Sequence, residues 1–242
     1  MMRAPVAGMA SAAARLGVVL DGTQQRTFER YAAVLAEWNE RVNLTAIVEP
    51  GEIATKHFLD SLTGVAARRW RAGERLVDVG SGAGFPGMAL AIALPRLHVT
   101  LVESVGKKAR FLEAAAAELG LAGVRVVNAR AEELAHDPAH RSQYEVATLR
   151  ALPGLATNLE LLLPFLRLGG DALAYKGRVD RELAAARRAA EALGGEIGEI
   201  VPTSGLGVGD LLPGRWLVVV RKARPTPPRY PRKTVEMRRR PW

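Results

Sequence analysis

The chain has 242 residues, about half of them apolar and a quarter charged, with no cysteine and a formal charge of +9. That is enough for one large domain with a real core. It leaves out disulfides, thiolate metal sites and thiol nucleophiles, and no apolar run is long enough to span a membrane, so a cytoplasmic protein is expected. The charge is unevenly placed: residues 221–242 hold nine bases and one acid, so the tail carries +8 and the remainder is nearly neutral.

Residues 1–8 read as a disordered leader and 9–72 as an all-helical N-terminal cap. Within the cap, 11–16 is Ala-rich. Residues 23–41 place Phe28, Tyr31, Leu35 and Trp38 at helical steps, with Thr23 as the expected N-cap. These aromatics are expected to be core. Residues 43–48 leave the helix and 52–65 resume one, carrying His57, Asp60 and Ser61. His57 and Asp60 are candidates for a hydrogen bond joining the cap to the rest. Arg68, Arg69 and Arg71 read as a solvated face.

From residue 73 to 222 strands alternate with helices. Strands are predicted at 75–79, 98–103, 124–128, 145–150, 170–176, 196–201 and 215–221. Helices are predicted at 84–94 (with Pro86 in its first turn), 107–119, 154–166 and 181–193. The alternation predicts an α/β, Rossmann-like fold: a mixed seven-stranded sheet with helices on both faces, mostly parallel and closed by an antiparallel last pair. His136 and His140 flank Pro138 in a loop and read as solvated residues; no metal site is expected.

The densest chemical signal follows the first strand. Asp78 is succeeded by Gly80, Gly82, Gly84 and Gly87, a density that suits a tight turn with a ligand against the main chain. Gly82 to Gly87 matches the dinucleotide pattern G-x-G-x-x-G, but in a late register. Asp78 ahead of the glycines instead resembles the first motif of S-adenosylmethionine-dependent class I methyltransferases. Three landmarks in order support that likeness, the last being residues 163–170, which resemble the helix-to-strand-five turn of these enzymes. Glu103, ending the second strand, can accept hydrogen bonds from two ribose hydroxyls, and Ala131 with Glu132 follows the third strand, where adenine would lie. An ordinary acid at a helix start is the other reading of Glu132.

Residues 223–242 form a basic, Pro-rich tail whose prolines are expected to forbid a regular helix. As an extended arm with Tyr230 and Trp242, it suits a polyanion; a solubilising tail is the alternative. Without cysteine, methylation of pyrimidine carbon 5 through a thiolate adduct is excluded.

Several motifs together are similar to one family. They are Glu37-Trp38-Asn39 with Arg41 and Asn43-Leu44-Thr45-Ala46-Ile47, His57-Phe58-Leu59-Asp60-Ser61-Leu62, and the Asp78–Gly87 run. Lys107-Lys108, Arg150, Tyr175-Lys176-Gly177 and residues 227–232 complete the set. The chain resembles RsmG (GidB), the bacterial 16S rRNA guanine-N7 methyltransferases, over residues 23–232. The resemblance implies S-adenosylmethionine as cofactor and a guanine in the loop near the decoding site as substrate. It places Asp78, Gly80, Gly82, Gly84, Phe85, Glu103, Ala131, Glu132 and Arg150 at the cofactor. Arg150 and Lys176, ending strands four and five, would orient the guanine or its phosphates. RNA would be met by Lys107, Lys108, Arg229, Arg232 and Lys233. The expected partner is 16S rRNA, the small subunit or an assembly intermediate, with the enzyme a monomer and no obligate protein partner. Methylation of a small molecule or protein, and a non-catalytic ribosome-assembly role, remain alternatives at this point.

Overall fold

The structure is a computed structural model and describes residues 2–152 and 154–242. Helix α1 (Arg3–Arg15) buries Val6 and Met9, so residues 3–8 of the expected disordered leader are helical, while residue 1 of it lies outside the described residues. Pro5 stands in the first helical turn, where the N–H it lacks would have had no partner. Helix α2 (Gly22–Val42) is capped by Asp21, not Thr23. The Asp21 carboxylate accepts from Gln24 N, and the Gln24 side chain accepts from Asp21 N, a reciprocal capping box. Beyond it, α3 (Pro50–Glu52), a π-helical segment (Ile53–Leu59) and α4 (Asp60–Ala66) form one continuous run.

The sheet comprises β1 (Arg75–Val79), β2 (His98–Val102), β3 (Val124–Val127), β4 (Tyr144–Arg150), β5 (Leu166–Lys176), β6 (Gly195–Pro202) and β7 (Trp216–Lys222). Their order is β3-β2-β1-β4-β5-β7-β6, with β7 antiparallel to both neighbours and every other pair parallel. This is the mixed seven-stranded arrangement expected. Strand β5 starts at Leu166, earlier than predicted, because Gly169 and Gly170 are strand residues here and not a turn. A Cβ on Gly170 would lie 2.8 Å from the Glu145 carbonyl of β4.

The intervening helices are α5 (Gly87–Ala93), α6 (Gly106–Glu118), α7 (Ala131–Leu134), α8 (Leu155–Leu162) and α9 (Leu183–Leu193). Pro86 is the N-cap of α5, so the helix predicted from residue 84 begins after it. Alternating strand residues feed two cores. Leu76, Val99, Val146 and Leu173 face the cap, α5 and α6, whereas Val77, Ala147, Ala172 and Val218 face α8, α9 and the tail.

The tail is not an extended arm. No proline falls between Pro231 and Pro241, and α10 (Thr234–Arg239) forms in that proline-free stretch. Arg141 donates to the carbonyls of Ala135, Thr226, Pro227 and Tyr230, and His136 meets the Pro231 carbonyl. Buried Lys222 donates to the Leu193 carbonyl at 3.0 Å, and burial pushes its ammonium down to about 7. Tyr230 and Met237 complete the second core.

Candidate active site

The chain runs outward from β1 through β2 to β3, then returns to place β4 on the other side of β1. The carboxyl ends of β1 and β4 therefore open a crevice at the switch point, where ligands bind in such sheets. The glycine turn fills that point. Gly80 N and Ser81 N both donate to the Val102 carbonyl, at 2.8 and 3.0 Å. Beneath it lies Asp78, fully buried; its carboxylate accepts from Gly87 N at 3.2 Å and from the Thr148 hydroxyl at 2.9 Å. Desolvation pushes this carboxyl up to about 6, against the pull of those donors. Asp78 thus ties the start of α5 back to β1 and β4.

Two glycines in the turn do different work. Gly80 (φ +69°) faces open space, and a Cβ there would meet only the Leu152 side chain, at 3.8 Å. Gly84 (φ +93°) is walled in: a Cβ would collide with the Tyr31 hydroxyl and lie 2.7 Å from the Met88 sulfur. The Tyr31 hydroxyl occupies that space because it donates to the Ala83 carbonyl at 2.5 Å.

A cavity of about 750 Å³ opens against the turn, lined among others by Gly80, Gly82, Phe85, Glu103, Ala131, Glu132 and Arg150. Glu103 is 6% exposed. One carboxylate oxygen accepts from Gly82 N at 2.9 Å and the other from Val105 N at 2.7 Å, leaving lone pairs on each for further donors.

Arg150, at the end of β4, is held by the cap. Its Nη1 donates to the Asp60 carboxylate at 3.0 Å and to the Lys56 carbonyl at 3.1 Å, and its Nη2 donates to His57 Nδ1 at 3.0 Å. Below them Phe85 stacks on His57 at 4.5 Å, with the guanidinium 5.0 Å from its ring centre. Arginine can only donate, so Nδ1 of His57 accepts and the ring proton sits on Nε2, which faces the Thr45 hydroxyl at 2.9 Å. Burial and the Arg150 charge push this imidazole down to about 3, which keeps it neutral. A second cavity of about 420 Å³ lies beyond, lined by Lys56, Asp60, Tyr175, Lys176 and Arg215 and sharing His57 and Arg150 with the first. Lys176 pairs with Glu182 at 3.0 Å.

A family profile described as "rRNA small subunit methyltransferase G" (GidB) matches residues 24–207. The chain belongs to this family. Relatives named ribosomal RNA small subunit methyltransferase G include one from Roseiflexus castenholzii, 51% identical over 89% of this chain and 91% of that protein. Another, from Dehalococcoides mccartyi strain BAV1, is 42% identical over 90% of this chain and 92% of that protein. Among solved structures, the antibiotic-resistance methyltransferase Kmr matches with TM-score 0.51 and 24% identity, covering 64% of this chain and 89% of that one. MtNAS in complex with MTA and tNA matches with TM-score 0.54 and 17% identity, over 81% and 74%. These two likenesses concern the fold. As a GidB family member the chain is an S-adenosylmethionine-dependent rRNA methyltransferase.

The cavity fits that cofactor. Gly80 leaves the backbone bare where a side chain would intrude, Glu103 offers spare lone pairs for a diol, and Val79, Val102 and Leu161 supply apolar wall. Of the residues expected in this GidB site, Gly80, Gly82, Phe85, Glu103, Ala131, Glu132 and Arg150 line the cavity, while Asp78 and Gly84 do not. Asp78 is withdrawn beneath the turn and Gly84 behind it, against Tyr31. Lys108 is on the cavity wall and Lys107 is exposed beside it. Arg229 and Lys233 are exposed. Arg232, expected to meet RNA, turns inward to fully buried Glu160 at 2.6 Å.

Sequence reasoning missed Tyr31, Thr45 and the tail residues on the cavity wall. Tyr31 carried no signal beyond its place in an apolar stripe. Thr45 sits in a turn built by Asn39, whose side chain accepts from Leu44 N and Thr45 N and donates to the Thr45 carbonyl. The Asn39-to-Thr45 motif was the available clue.

Proposed function

We propose that this enzyme methylates N7 of a guanine in 16S rRNA, with the base in the smaller cavity and the cofactor in the larger one. When bound, S-adenosylmethionine supplies a methyl group already activated on a sulfonium. Guanine N7 offers an in-plane lone pair and carries no proton. A new N–C bond forms as the S–C bond breaks, and the positive charge passes to the base with no proton to remove. Among the described residues at the boundary, His57 is not a free general base: its Nδ1 already accepts from Arg150 and its Nε2 carries the proton that faces Thr45. Rate enhancement then rests on alignment.

The observation that carries the reading is Arg150, fixed at the boundary between the two cavities. Three of the five guanidinium protons go to Asp60, Lys56 and His57, which leaves two for a substrate. A donor on N7 would block attack, so these would address guanine O6 or a phosphate. Arg215, with no ion pair among the described residues, adds positive charge around the smaller cavity, suited to flanking phosphates, and Lys56 and Lys176 would do so on release from Glu52 and Glu182. Lys107, Lys108, Arg229 and Lys233 would extend the RNA contact. The enzyme would act as a cytoplasmic monomer on the small subunit or an assembly intermediate.

The test is to incubate methyl-labelled cofactor with small subunits and, separately, with isolated 16S rRNA, then locate the label by mass spectrometry of nuclease fragments. Label on N7 of one guanine is expected. Label on another base or another atom refutes the reading.

A further inference from the structure

The tail contributes to the larger cavity in a way its basic composition conceals. Thr234, Met237, Arg238 and Pro241, all in or beside α10, line the same cavity as Gly80 and Glu103. The Thr234 hydroxyl donates to the Glu132 carboxylate, which lines the same cavity. The segment is pinned at both ends by a single group, Glu160 of α8, fully buried and outside the cavity. Its carboxylate accepts from Arg232 N and Nε at 2.8 Å, from Arg232 Nη2 at 2.6 Å, and from Trp242 Nε1 at 2.6 Å. Arg232 Nη1 then donates to the Arg240 carbonyl at 2.8 Å, closing the segment on itself. Lys233, Arg239 and Arg240 remain exposed and have no ion pair among the described residues.

We infer that residues 232–242 are a wall of the cofactor site whose outer cations take RNA phosphate, so that cofactor and RNA bind cooperatively. This rests on the cofactor occupying the larger cavity. A helix of six residues does not hold its shape alone; α10 exists by virtue of its anchors and of what presses on its two faces. Cofactor against Met237 and phosphate against the outer cations each favour the same closed position. Two ligands that stabilise one arrangement must each raise the affinity of the other by the same factor.

Calorimetric titration of S-adenosylhomocysteine, with melting temperature recorded alongside, tests this on the full chain, a chain ending at Lys233, and Met237→Ala. Removing the wall is expected to weaken binding roughly tenfold, with a smaller, several-fold loss for Met237→Ala, given the apolar contact removed. Saturating 16S rRNA should tighten binding to the full chain at least threefold, a modest coupling on the usual scale. It should do nothing for the shortened chain or for a Lys233→Glu, Arg239→Glu, Arg240→Glu variant. Affinities within twofold of the full chain for both the shortened chain and Met237→Ala, whatever their melting temperatures, overturn the proposal. So does an unchanged affinity of the full chain on adding RNA. Failure of the full chain to bind S-adenosylhomocysteine at all would instead remove the cofactor reading on which the proposal stands.

Discussion

Two glycines four residues apart in the same turn should respond to alanine in opposite ways. At Gly80 the new methyl group meets nothing of the protein closer than 3.8 Å, so the cost to folding is the left-handed backbone alone. That is about 1–2 kcal/mol, or a fall of roughly 2–8 °C in melting temperature for a domain of this size. The methyl group nevertheless stands in the cavity, where the backbone is bare, and cofactor affinity should drop at least about tenfold through overpacking. At Gly84 the left-handed cost recurs, and the methyl also displaces the Tyr31 hydroxyl from the Ala83 carbonyl and crowds Met88. Overpacking adds about 1–3 kcal/mol and an unpartnered buried hydroxyl about 1–3 kcal/mol, for a total near 3–8 kcal/mol. That is a large share of a typical folding free energy. Urea unfolding followed by tryptophan fluorescence, with calorimetric titration of S-adenosylhomocysteine, separates the two. Wild-type affinity in Gly80→Ala would show that this backbone does not face the cofactor. Equal stability of Gly84→Ala and Gly80→Ala would show that the Tyr31 contact does not fix the turn.

Glu103→Gln should raise the dissociation constant for S-adenosylhomocysteine about tenfold (~1.4 kcal/mol), because an amide nitrogen replaces one of the two acceptors; an unchanged value in a calorimetric titration argues against a diol at Glu103. Arg150→Lys should cut single-turnover methyl transfer about a hundredfold while shifting cofactor affinity far less, since a point charge cannot engage Asp60, His57 and the Lys56 carbonyl together; parallel losses in both would place Arg150 at the cofactor alone. His57 is held well below its ordinary value, at about 3. The stability this neutral ring confers is therefore full above pH 6.5 and declines as pH falls towards 3, by about 2 kcal/mol between pH 7.5 and 5. His57→Gln should show a drop in unfolding free energy over that interval about 2 kcal/mol smaller than wild type. Nitrogen NMR of the wild-type ring should find the Nε2–H tautomer at pH 5; a protonated ring there defeats the assignment.

Much of the fold was legible because its strands are short apolar runs separated by amphipathic helices, and the three landmarks of the cofactor site are local. Gly80, Glu103 and Ala131 each end or follow a strand, and parallel pairing brings strand ends together without further information. Other features depend on partners remote in the chain. Asp78 looked like a ligand because it precedes the glycines, but its alternation within β1 turns it toward α5 and Thr148. Gly84 looked like cradle backbone, and only Tyr31, a residue of α2, reveals why no side chain fits there. Arg232 read as a free cation because Glu160 sits in an apolar helix 72 residues earlier. In α1, alanines and a proline blur the stripe that Val6 and Met9 form.

The separation between Arg150 and its partners has a consequence for the order of manufacture. Asp60, His57 and the Lys56 carbonyl lie 90 to 94 residues upstream of the arginine they orient, and Met237 of the cavity wall lies downstream of it. A chain emerging from the ribosome can form the cap first and the glycine turn soon after. It acquires an aligned arginine only once β4 has paired, and a closed cavity only once the tail has been released. A chain that stops before β4 lacks the arginine on which the proposed methyl transfer rests, and one that stops before α10 lacks that part of the cavity wall.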